Sequence, residues 1–341
     1  MRRQIALIGV SIATSPGGFK PSIDSYWPLP IMVYNLSVLT VQNWRRSRRR
    51  GTPGMTREEP TFDLMRPQRW LGGVIFASPH SGRAYPDWFL AESRLNAQQL
   101  RSSEDAFVDR LIQPALDHGA TMLTARVPRC VVDLNRGPEE IDPLVVSGAP
   151  PGLTNPRIMA GLGVIPRVVS QGRAIHDRPI PRTEAESRIA RLWHPYHRAL
   201  SALIDEAVAR FGGAILIDMH SMPRDALAHL PRPRPDMVLG DRNGVSAAPR
   251  ISAGVADAVV AEGFRLRRNS PFSGAYITQT YGRPRNNVHV VQLELDRSLY
   301  MDEGRIEPRA DFELFQARFA RVITRLARLR PDASDAAFAA E

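Results

Sequence analysis

Two histidines directly follow apolar segments, a position from which side chains reach the ligand-binding edge of an α/β sheet. His80 follows the apolar run 72–78, and His220 ends the segment AILIDMH at 214–220. Neutral imidazoles at the ends of two strands can meet above one sheet edge. A catalytic zinc needs three protein ligands and a fourth position open to water. The spacing therefore predicts a zinc site that still lacks one ligand.

Three acidic residues are candidates to complete or support this site. Glu104 and Asp105 stand at the head of the helix predicted after the first strand, within reach of the imidazoles. Asp218 precedes His220 by two residues, so both side chains lie on one face of a strand. Asp218 is therefore a candidate either to bind the metal or to orient a ligand through a hydrogen bond.

Glu294 interrupts the apolar segment VVQLELD at 290–296. Burying an unpaired carboxylate is costly, so this residue is expected to be paired, to face a solvated cleft, or to act in catalysis. Beside a zinc ion it is suited to take a proton from water and hand it to a leaving amine. The simpler alternative is a strand-end residue that faces solvent.

Three arginines, Arg83, Arg136 and Arg283, follow motif-like positions. Arginine can grip a carboxylate through two parallel hydrogen bonds. Arginines near a metal site therefore indicate an anionic substrate or an anionic intermediate. The alternative is ordinary surface charge, because Lys20 is the only lysine among 45 basic residues.

A second histidine pair, His194 and His197, lies in the segment LWHPYHRAL with Pro195 between the two. This pair favours a packing and hydrogen-bonding role over metal binding. The sequence contains no GxSxG, GxxxxGK[ST] or HExxH motif. These absences disfavour a serine hydrolase of the elbow type, a P-loop enzyme and a zincin protease.

The elements that must position these residues alternate between strands and helices. Short apolar runs predict strands, and apolar residues at helical spacing predict helices. The predicted strands are 72–78, 121–127, 129–135, 214–220, 237–241, 264–268 and 288–295, and the predicted helices are 104–117, 183–211, 246–262 and 310–329. Thr183 and Glu186 match a capping box. This order predicts an α/β sandwich around a mostly parallel or mixed sheet.

Length, cysteine content and charge exclude several classes of protein. The 341 residues suit one large domain or two smaller ones, and Cys130 as the only cysteine rules out an intrachain disulfide and a cysteine-based metal site. The net charge is +10, but residues 1–56 hold 8 basic and 1 acidic residue, which leaves only +3 for the rest. A nucleic-acid partner is therefore disfavoured. No apolar stretch approaches 18 residues, so no membrane-spanning helix is expected.

Residues 1–60 differ in composition from the rest of the chain and predict a poorly ordered basic extension. Their start weakly resembles a secretory signal, whereas Met55 is an alternative start of the protein. Residues 61–335 are predicted to form a single catalytic domain. Within it, the stretch 137–182 is rich in proline and glycine, and such long loops are often functional.

Seven segments stand in the order of one known family and cover most of residues 70–305. They are SPHSGRAYP (78–86), EDAFVDRL (104–111), VVDLNR (131–136), HPYHRAL (194–200), IDMHSMP (217–223), FSGAYITQTYGRP (272–284) and VHVVQLELDRSLYMDE (288–303). The chain thus resembles the N-formylglutamate amidohydrolases, or deformylases. That family is similar to the zinc carboxypeptidases, whose carboxylate-binding Asn-Arg pair resembles Asn135 and Arg136 and whose catalytic glutamate resembles Glu294.

The resemblance implies a three-layer α/β/α sandwich around a mixed, mostly parallel sheet, as in zinc exopeptidases. It implies a cytoplasmic hydrolase of histidine catabolism that cleaves N-acyl amides, typically formyl from glutamate, with one Zn²⁺ per chain. The implied ligands are His80, Asp105 and His220. Carboxypeptidases carry a glutamate three residues after the first histidine, where this chain has Arg83. Asp105 is therefore preferred as the replacement, and Glu104 is the alternative.

The same resemblance implies roles in substrate binding and catalysis. Glu294 acts as general base and then as general acid, while Asn135 and Arg136 grip the α-carboxylate. Arg136 is grouped with Glu294 as a catalytic residue, and the residues predicted to bind the substrate are Arg83, Asn135, Tyr281 and Arg283. Arg83 or Arg283 assists with a side-chain carboxylate or the oxyanion, and Tyr281 is a candidate hydrogen-bond donor. The expected partner is a small anionic N-acyl amino acid, with no membrane and no nucleic acid.

Two other classes remain as alternatives. One is a different zinc amidase or exopeptidase, for example one that acts on cell-wall peptides. The other is a non-enzymatic protein that binds nucleic acid through its basic N-terminal segment, which the balanced charge of residues 57–341 makes the weakest option.

Overall fold

The computed structural model describes residues 60–149 and 155–331, and a seven-stranded sheet is its central element. The strands of this sheet are β1 (Phe62–Met65), β2 (Val74–Ser78), β3 (Thr121–Ala125), β4 (Ala214–Met222), β5 (Met237–Gly240), β6 (Leu266–Arg268) and β7 (Val288–Asp296). Their order is β1-β3-β2-β4-β7-β5-β6. The pairs β3/β2, β2/β4, β4/β7 and β5/β6 are parallel, and β1/β3 and β7/β5 are antiparallel. The sheet is therefore mixed and mostly parallel, as predicted.

Helices connect these strands. They are α1 (Asp87–Glu92), α2 (Ala97–Arg101), α3 (Val108–Leu111), α4 (Pro156–Met159), α5 (Arg182–Arg188), a π-helical segment (Ile189–Trp193), α6 (His194–Phe211), α7 (Pro249–Val260), α8 (Tyr276–Tyr281) and α9 (Phe312–Ala327). Short 3₁₀ turns occupy Gln113–Ala115, Ser170–Gly172, Arg224–Leu227, Pro284–Asn286 and Arg297–Leu299. Two-residue strands form three small ladders at Val146–Ser147 with Ile180–Pro181, Val168–Val169 with Arg173–Ala174, and Met301–Asp302 with Glu307–Pro308.

Two hydrophobic cores lie on opposite faces of the sheet. Alternate residues of a strand point to opposite faces, so Ile75 belongs to one core and Phe76 to the other. Helix α6 covers the first face with Tyr196 and Leu200. Helices α7 and α9 cover the second face, where Phe319 is fully buried. The molecule is therefore a three-layer α/β/α sandwich, which confirms the predicted fold class.

Strands β4 and β7 form the centre of the sheet, and all nine residues of each are buried. Apart from His289 in β7, the residues of their first halves are apolar, as expected for strands covered on both faces. Polar residues enter toward their carboxyl ends, and the parallel pairing places Asp218 opposite Gln292 and His220 opposite Glu294. Because both strands end at the same sheet edge, the polar residues predicted from the sequence are brought together there.

The segment 129–135, predicted as a strand, is instead a series of turns. Val131, Val132 and Leu134 are buried in the core on the face covered by α6, so burial alone accounts for the apolar run. A strand at Phe62–Met65, which pairs with β3 at the edge of the sheet, was not predicted.

The predicted helix 104–117 is broken in the structure. Phe107 has a φ of 67°, a left-handed conformation that interrupts a right-handed helix. Only α3 and the 3₁₀ turn Gln113–Ala115 are helical in this stretch.

The predicted helix 183–211 is present as a helical run from Arg182 to Phe211, but the predicted capping box is wrong. The N-cap is Pro181, and the Glu186 carboxylate accepts a hydrogen bond from Arg182 Nε at 2.7 Å.

The predicted N-terminal extension and the expected absence of a membrane-spanning helix concern features outside the sheet and its covering helices. The basic extension predicted for residues 1–60 lies outside the described residues apart from Pro60. Across residues 60–149 and 155–331, no helix has the length and apolarity needed to cross a membrane.

Candidate active site

Three side chains converge at the carboxyl edge of the central strands. His80 follows β2, Asp105 precedes α3, and His220 lies in β4. One potential ligand atom from each residue lies within 4.8 Å of the others, and all three residues are buried. The Asp105 N–H donates to the His80 carbonyl oxygen at 3.0 Å, which holds this carboxylate beside the first histidine.

Each imidazole is oriented by a further carboxylate. His80 Nε2 lies 2.7 Å from Asp133 Oδ1, and His220 Nε2 lies 3.0 Å from Asp218 Oδ1. Both rings therefore turn Nδ1 toward Asp105 Oδ2, at 3.5 Å for His80 and 2.9 Å for His220. This is the carboxylate–histidine arrangement that fixes imidazole ligands in metalloproteins.

The charge of the site suits a bound cation. Although burial alone would lower the pKa of His220, the charges of Asp218 and Asp105 raise it well above its usual value. Conversely, burial alone would raise the pKa of Asp105, but the hydrogen bond with His220 and the proximity of both imidazoles hold it well below its usual range. His80 Nδ1 is buried and has no hydrogen-bond partner among the described residues. The donor set and this orphaned nitrogen both fit a divalent metal such as zinc.

The structure brings Asp105, and not Glu104, to the histidines. Arg297 Nη2 donates to Asp105 Oδ1 at 2.9 Å, which leaves Oδ2 turned toward the imidazoles. Glu104 is also buried, but its carboxylate accepts from Tyr85 Oη at 2.7 Å and from Arg101 Nε at 3.2 Å. The Glu104 carboxylate is therefore hydrogen-bonded to Tyr85 and Arg101 and not to the histidines.

Glu294 lies in the same cleft as the triad and has an acid–base character unlike that of an exposed carboxylate. Burial raises its pKa to about 7, because the ionised form is poorly solvated there. Gln292 Nε2 donates to Glu294 Oε1 at 2.7 Å and fixes that side of the carboxylate. A carboxyl group with a pKa near neutrality can both accept and donate a proton at physiological pH.

The cleft around these residues has a volume of about 610 Å³. One wall comes from the loop-rich stretch, including Arg157, Leu162 and Val169, and another comes from residues 271–275. The wall residues include both apolar side chains and guanidinium groups. The cleft is therefore large enough for an amino-acid derivative and carries positive charge on its walls.

Asn135 and Arg136 both line the cleft, but in different ways. The Asn135 amide is engaged by the protein: its Oδ1 accepts from the Ile277 N–H at 2.7 Å, and its Nδ2 donates to Asp218 Oδ2 at 3.1 Å and lies 3.0 Å from His220 Nε2. Arg136 donates only to backbone carbonyls, those of Leu162 at 2.9 Å and of Asn135 at 2.8 Å. Its charge has no carboxylate partner among the described residues.

This geometry agrees with the comparison to known proteins. The sequence model of the N-formylglutamate amidohydrolase family matches residues 72–301, about two thirds of the chain. The chain belongs to this family. It is 37% identical to the N-formylglutamate deformylase of Pseudomonas aeruginosa over 234 residues, which are 67% of this chain and 82% of that protein. It is 32% identical to the Pseudomonas putida N-formylglutamate deformylase over 235 residues, with the same coverage.

A solved structure gives the same result. The crystal structure of N-formylglutamate amidohydrolase from Ralstonia eutropha JMP134 superposes with a TM-score of 0.74 at 33% identity, covering 78% of this chain and 97% of that one. The predicted family resemblance is confirmed, and so is the enzyme class: this amidohydrolase-family member is a hydrolase that acts on carbon–nitrogen bonds.

Three residues predicted to bind substrate lie outside the cleft of this family member. Arg83 forms a two-point ion pair with Asp109, at 3.0 and 3.1 Å. Tyr281 Oη lies 2.9 Å from His197 Nδ1. Arg283 donates to the carbonyl oxygens of Gln279 and Gly282. The structure therefore does not bring these side chains to the triad.

Within the histidine pair on α6, His197 has the packing and hydrogen-bonding role favoured by the sequence. The His197 ring stacks on Trp193 with centroids 3.9 Å apart, and its Nε2 lies 2.8 Å from the Leu134 carbonyl oxygen. Burial lowers the pKa of His197 to about 4, so the ring is neutral. His194 is exposed and lies outside the cleft.

Sequence reasoning missed three arginines of the cleft. Arg129 Nη2 donates to Asp133 Oδ2 at 2.7 Å, and Arg297 anchors Asp105 as described above. Arg157 lies on α4 in the loop-rich stretch. Arg297 had a readable signal, because it directly follows the strand that carries Glu294. Arg129 and Arg157 had none, since only tertiary contacts bring them to this cleft.

Proposed function

We propose that this chain hydrolyses the amide bond of N-formylglutamate or a closely similar N-acyl amino acid, with one zinc ion per chain. The observation that carries the proposal is the convergence of His80, Asp105 and His220 beside Glu294 in a cleft with unpaired positive charge. The names of the relatives, which are N-formylglutamate deformylases at 37% and 32% identity, support the choice of substrate.

His80 Nδ1, Asp105 Oδ2 and His220 Nδ1 would hold the zinc. When bound, zinc lowers the pKa of a water molecule and polarises the scissile carbonyl group. Three further side chains contact the proposed ligands and orient them. Asp133 and Asp218 orient the two imidazoles, and Arg297 orients the Asp105 carboxylate.

Glu294 acts as the general base and then as the general acid of the proposed reaction. With Oε1 held by Gln292, its other oxygen is left to take a proton from the water whose oxygen bonds to the formyl carbon. The protonated Glu294 then donates to the leaving amine nitrogen. A pKa of about 7 allows the same group to perform both steps.

Arg136 binds the α-carboxylate of the substrate. Arg136 is only 8% exposed and its guanidinium has no carboxylate partner among the described residues, so an anionic ligand would compensate its buried charge. Asn135 is predicted to share this role; in the structure, its Nδ2 donates to Asp218 and its Oδ1 accepts from the Ile277 N–H. Cytoplasmic location and a part in histidine catabolism stay predictions.

The test uses the purified full-length chain loaded with zinc. It is offered N-formyl-L-glutamate, other N-formyl and N-acetyl amino acids, and cell-wall peptides, and release of free amine is measured. We expect N-formylglutamate to be cleaved with the highest kcat/KM. A folded, zinc-loaded sample that releases amine only from the cell-wall peptides would support the alternative class, and one that cleaves nothing would rule out both.

A further inference from the structure

The four arginines that line the cleft fall into two kinds. Arg129 is paired with Asp133, and Arg297 is paired with Asp105. Arg136 and Arg157 make no ion pair with any described residue, and their hydrogen bonds go to backbone carbonyls. Two positive charges in the cleft are thus neutralised by the protein, and two are left for a ligand.

The two unpaired arginines are close neighbours. Arg136 Nε donates to the Leu162 carbonyl oxygen at 2.9 Å, and the Leu162 N–H donates to the Arg157 carbonyl oxygen at 2.8 Å. Burial lowers the pKa of Arg136; the charges of Asp133 and Glu140 raise it, and those of Arg129 and Arg157 lower it further. Because like charges repel, this pair is stabilised when anions bind between the walls.

A buried carboxylate fixes the spacing of this pair. Glu140 Oε1 accepts from the Gly137 N–H, next to Arg136, and Glu140 Oε2 accepts from Asn155 Nδ2, both at 2.8 Å. Asn155 in turn caps α4, with its Oδ1 accepting from the Arg157 and Ile158 N–H groups. The backbone of both arginines is therefore tied to one side chain, as in a preorganised binding site.

Resting on the proposed function, we propose that Arg157 determines specificity by binding the side-chain carboxylate of an N-acyl dicarboxylic amino acid while Arg136 binds its α-carboxylate. Arg157 Nη2 donates to the Gly274 carbonyl oxygen at 3.2 Å, across the cleft. A guanidinium has five N–H donors, so this contact leaves donors for a carboxylate.

The alternative role of Arg157 is structural, because the same contact joins the wall around α4 to the wall at residues 271–275. The two roles predict different behaviour toward a matched pair of substrates. N-formyl-L-glutamate and N-formyl-L-glutamine have nearly the same shape and differ in the charge of the side chain. A structural role affects both equally, whereas a specificity role affects the charged substrate alone.

The experiment compares kcat and KM of the zinc-loaded wild type, Arg157→Met and Arg157→Lys on both substrates. We expect Arg157→Met to lower kcat/KM for N-formylglutamate by about 10- to 100-fold, the usual effect of losing a hydrogen bond between charged groups. The loss should appear mainly in KM, because the contact is remote from the reacting bond. Activity on N-formylglutamine should stay within a few-fold, and Arg157→Lys should fall between the two.

Controls separate the possible outcomes. Arg198→Met removes an exposed arginine of α6 outside the cleft and should leave both substrates unaffected. Thermal midpoints of all variants detect a folding defect. Equal losses on both substrates, or no loss on either, would overturn the role of Arg157 while the proposed function stands. A wild type that cleaves neither substrate would overturn the proposed function and this inference with it.

Discussion

Glu294 and His220 are direct neighbours across two parallel strands, where their Cα atoms are paired in the register of β7 and β4. Both strands are buried along their full length. The proposed base and one proposed metal ligand are therefore fixed to a single rigid frame. Sites built on strands hold their geometry more closely than sites built on loops, and this neighbour relationship underlies the predictions that follow.

Glu294→Gln should remove proton transfer and little else. Glutamine is nearly isosteric and can still accept the hydrogen bond from Gln292, so packing in β7 is preserved. General acid–base catalysis contributes about 100- to 10,000-fold, and we expect turnover to fall by that order. Zinc content and thermal midpoint should match the wild type. Glu307→Gln, a substitution at an exposed site, is the control. If Glu294→Gln kept its turnover within a few-fold of wild type, Glu294 would have no part in the mechanism.

His220→Ala removes one of three proposed ligands. We expect zinc affinity to drop sharply while the fold is retained, since the surrounding strands are held by apolar packing. Metal content after dialysis, with circular dichroism on the same sample, checks both parts. His229→Ala, an exposed histidine, serves as the control. Zinc at wild-type stoichiometry in His220→Ala would show that the ligand set is wrong.

Asp105→Ala and Glu104→Ala should differ in what they lose. Asp105→Ala should lower zinc content, because the Asp105 carboxylate lies 2.9 Å from His220 Nδ1. Glu104→Ala should keep zinc but unfold at a lower temperature, because Tyr85 and Arg101 lose their shared buried acceptor. Metal analysis and thermal unfolding of the two variants in parallel decide between them. The reverse pattern would make Glu104 the ligand.

Asp133→Asn tests the support behind His80. The Asp133 carboxylate lies 2.7 Å from His80 Nε2 and accepts from Arg129 at 2.7 Å, so the change weakens two contacts without changing shape. Replacing such a partner of a ligating histidine typically lowers metal affinity by about 10- to 100-fold. Competition with a chelator measures this affinity. Unchanged zinc affinity would mean that Asp133 does not orient the ligand.

Apolar strands that end in polar residues were readable in the sequence because burial imposes a local pattern. The segments around His80, His220 and Glu294 follow this pattern, and the structure places all three at one sheet edge. The segment 129–135 shows its limit. Its apolar residues are buried in turns, and an apolar run does not distinguish a strand from a buried loop.

The sequence by itself determined the family, the α/β class and the polar residues at the ends of the central strands, because each depends on the pattern of residues along the chain. Only the tertiary structure placed Asp105, rather than Glu104, beside the histidines, because the Glu104 carboxylate is hydrogen-bonded to Tyr85 and Arg101. It also separated Arg83, paired with Asp109, from Arg157, which faces the cleft. Arginines look alike in a sequence, and their roles depend on which carboxylates the folded chain brings within reach.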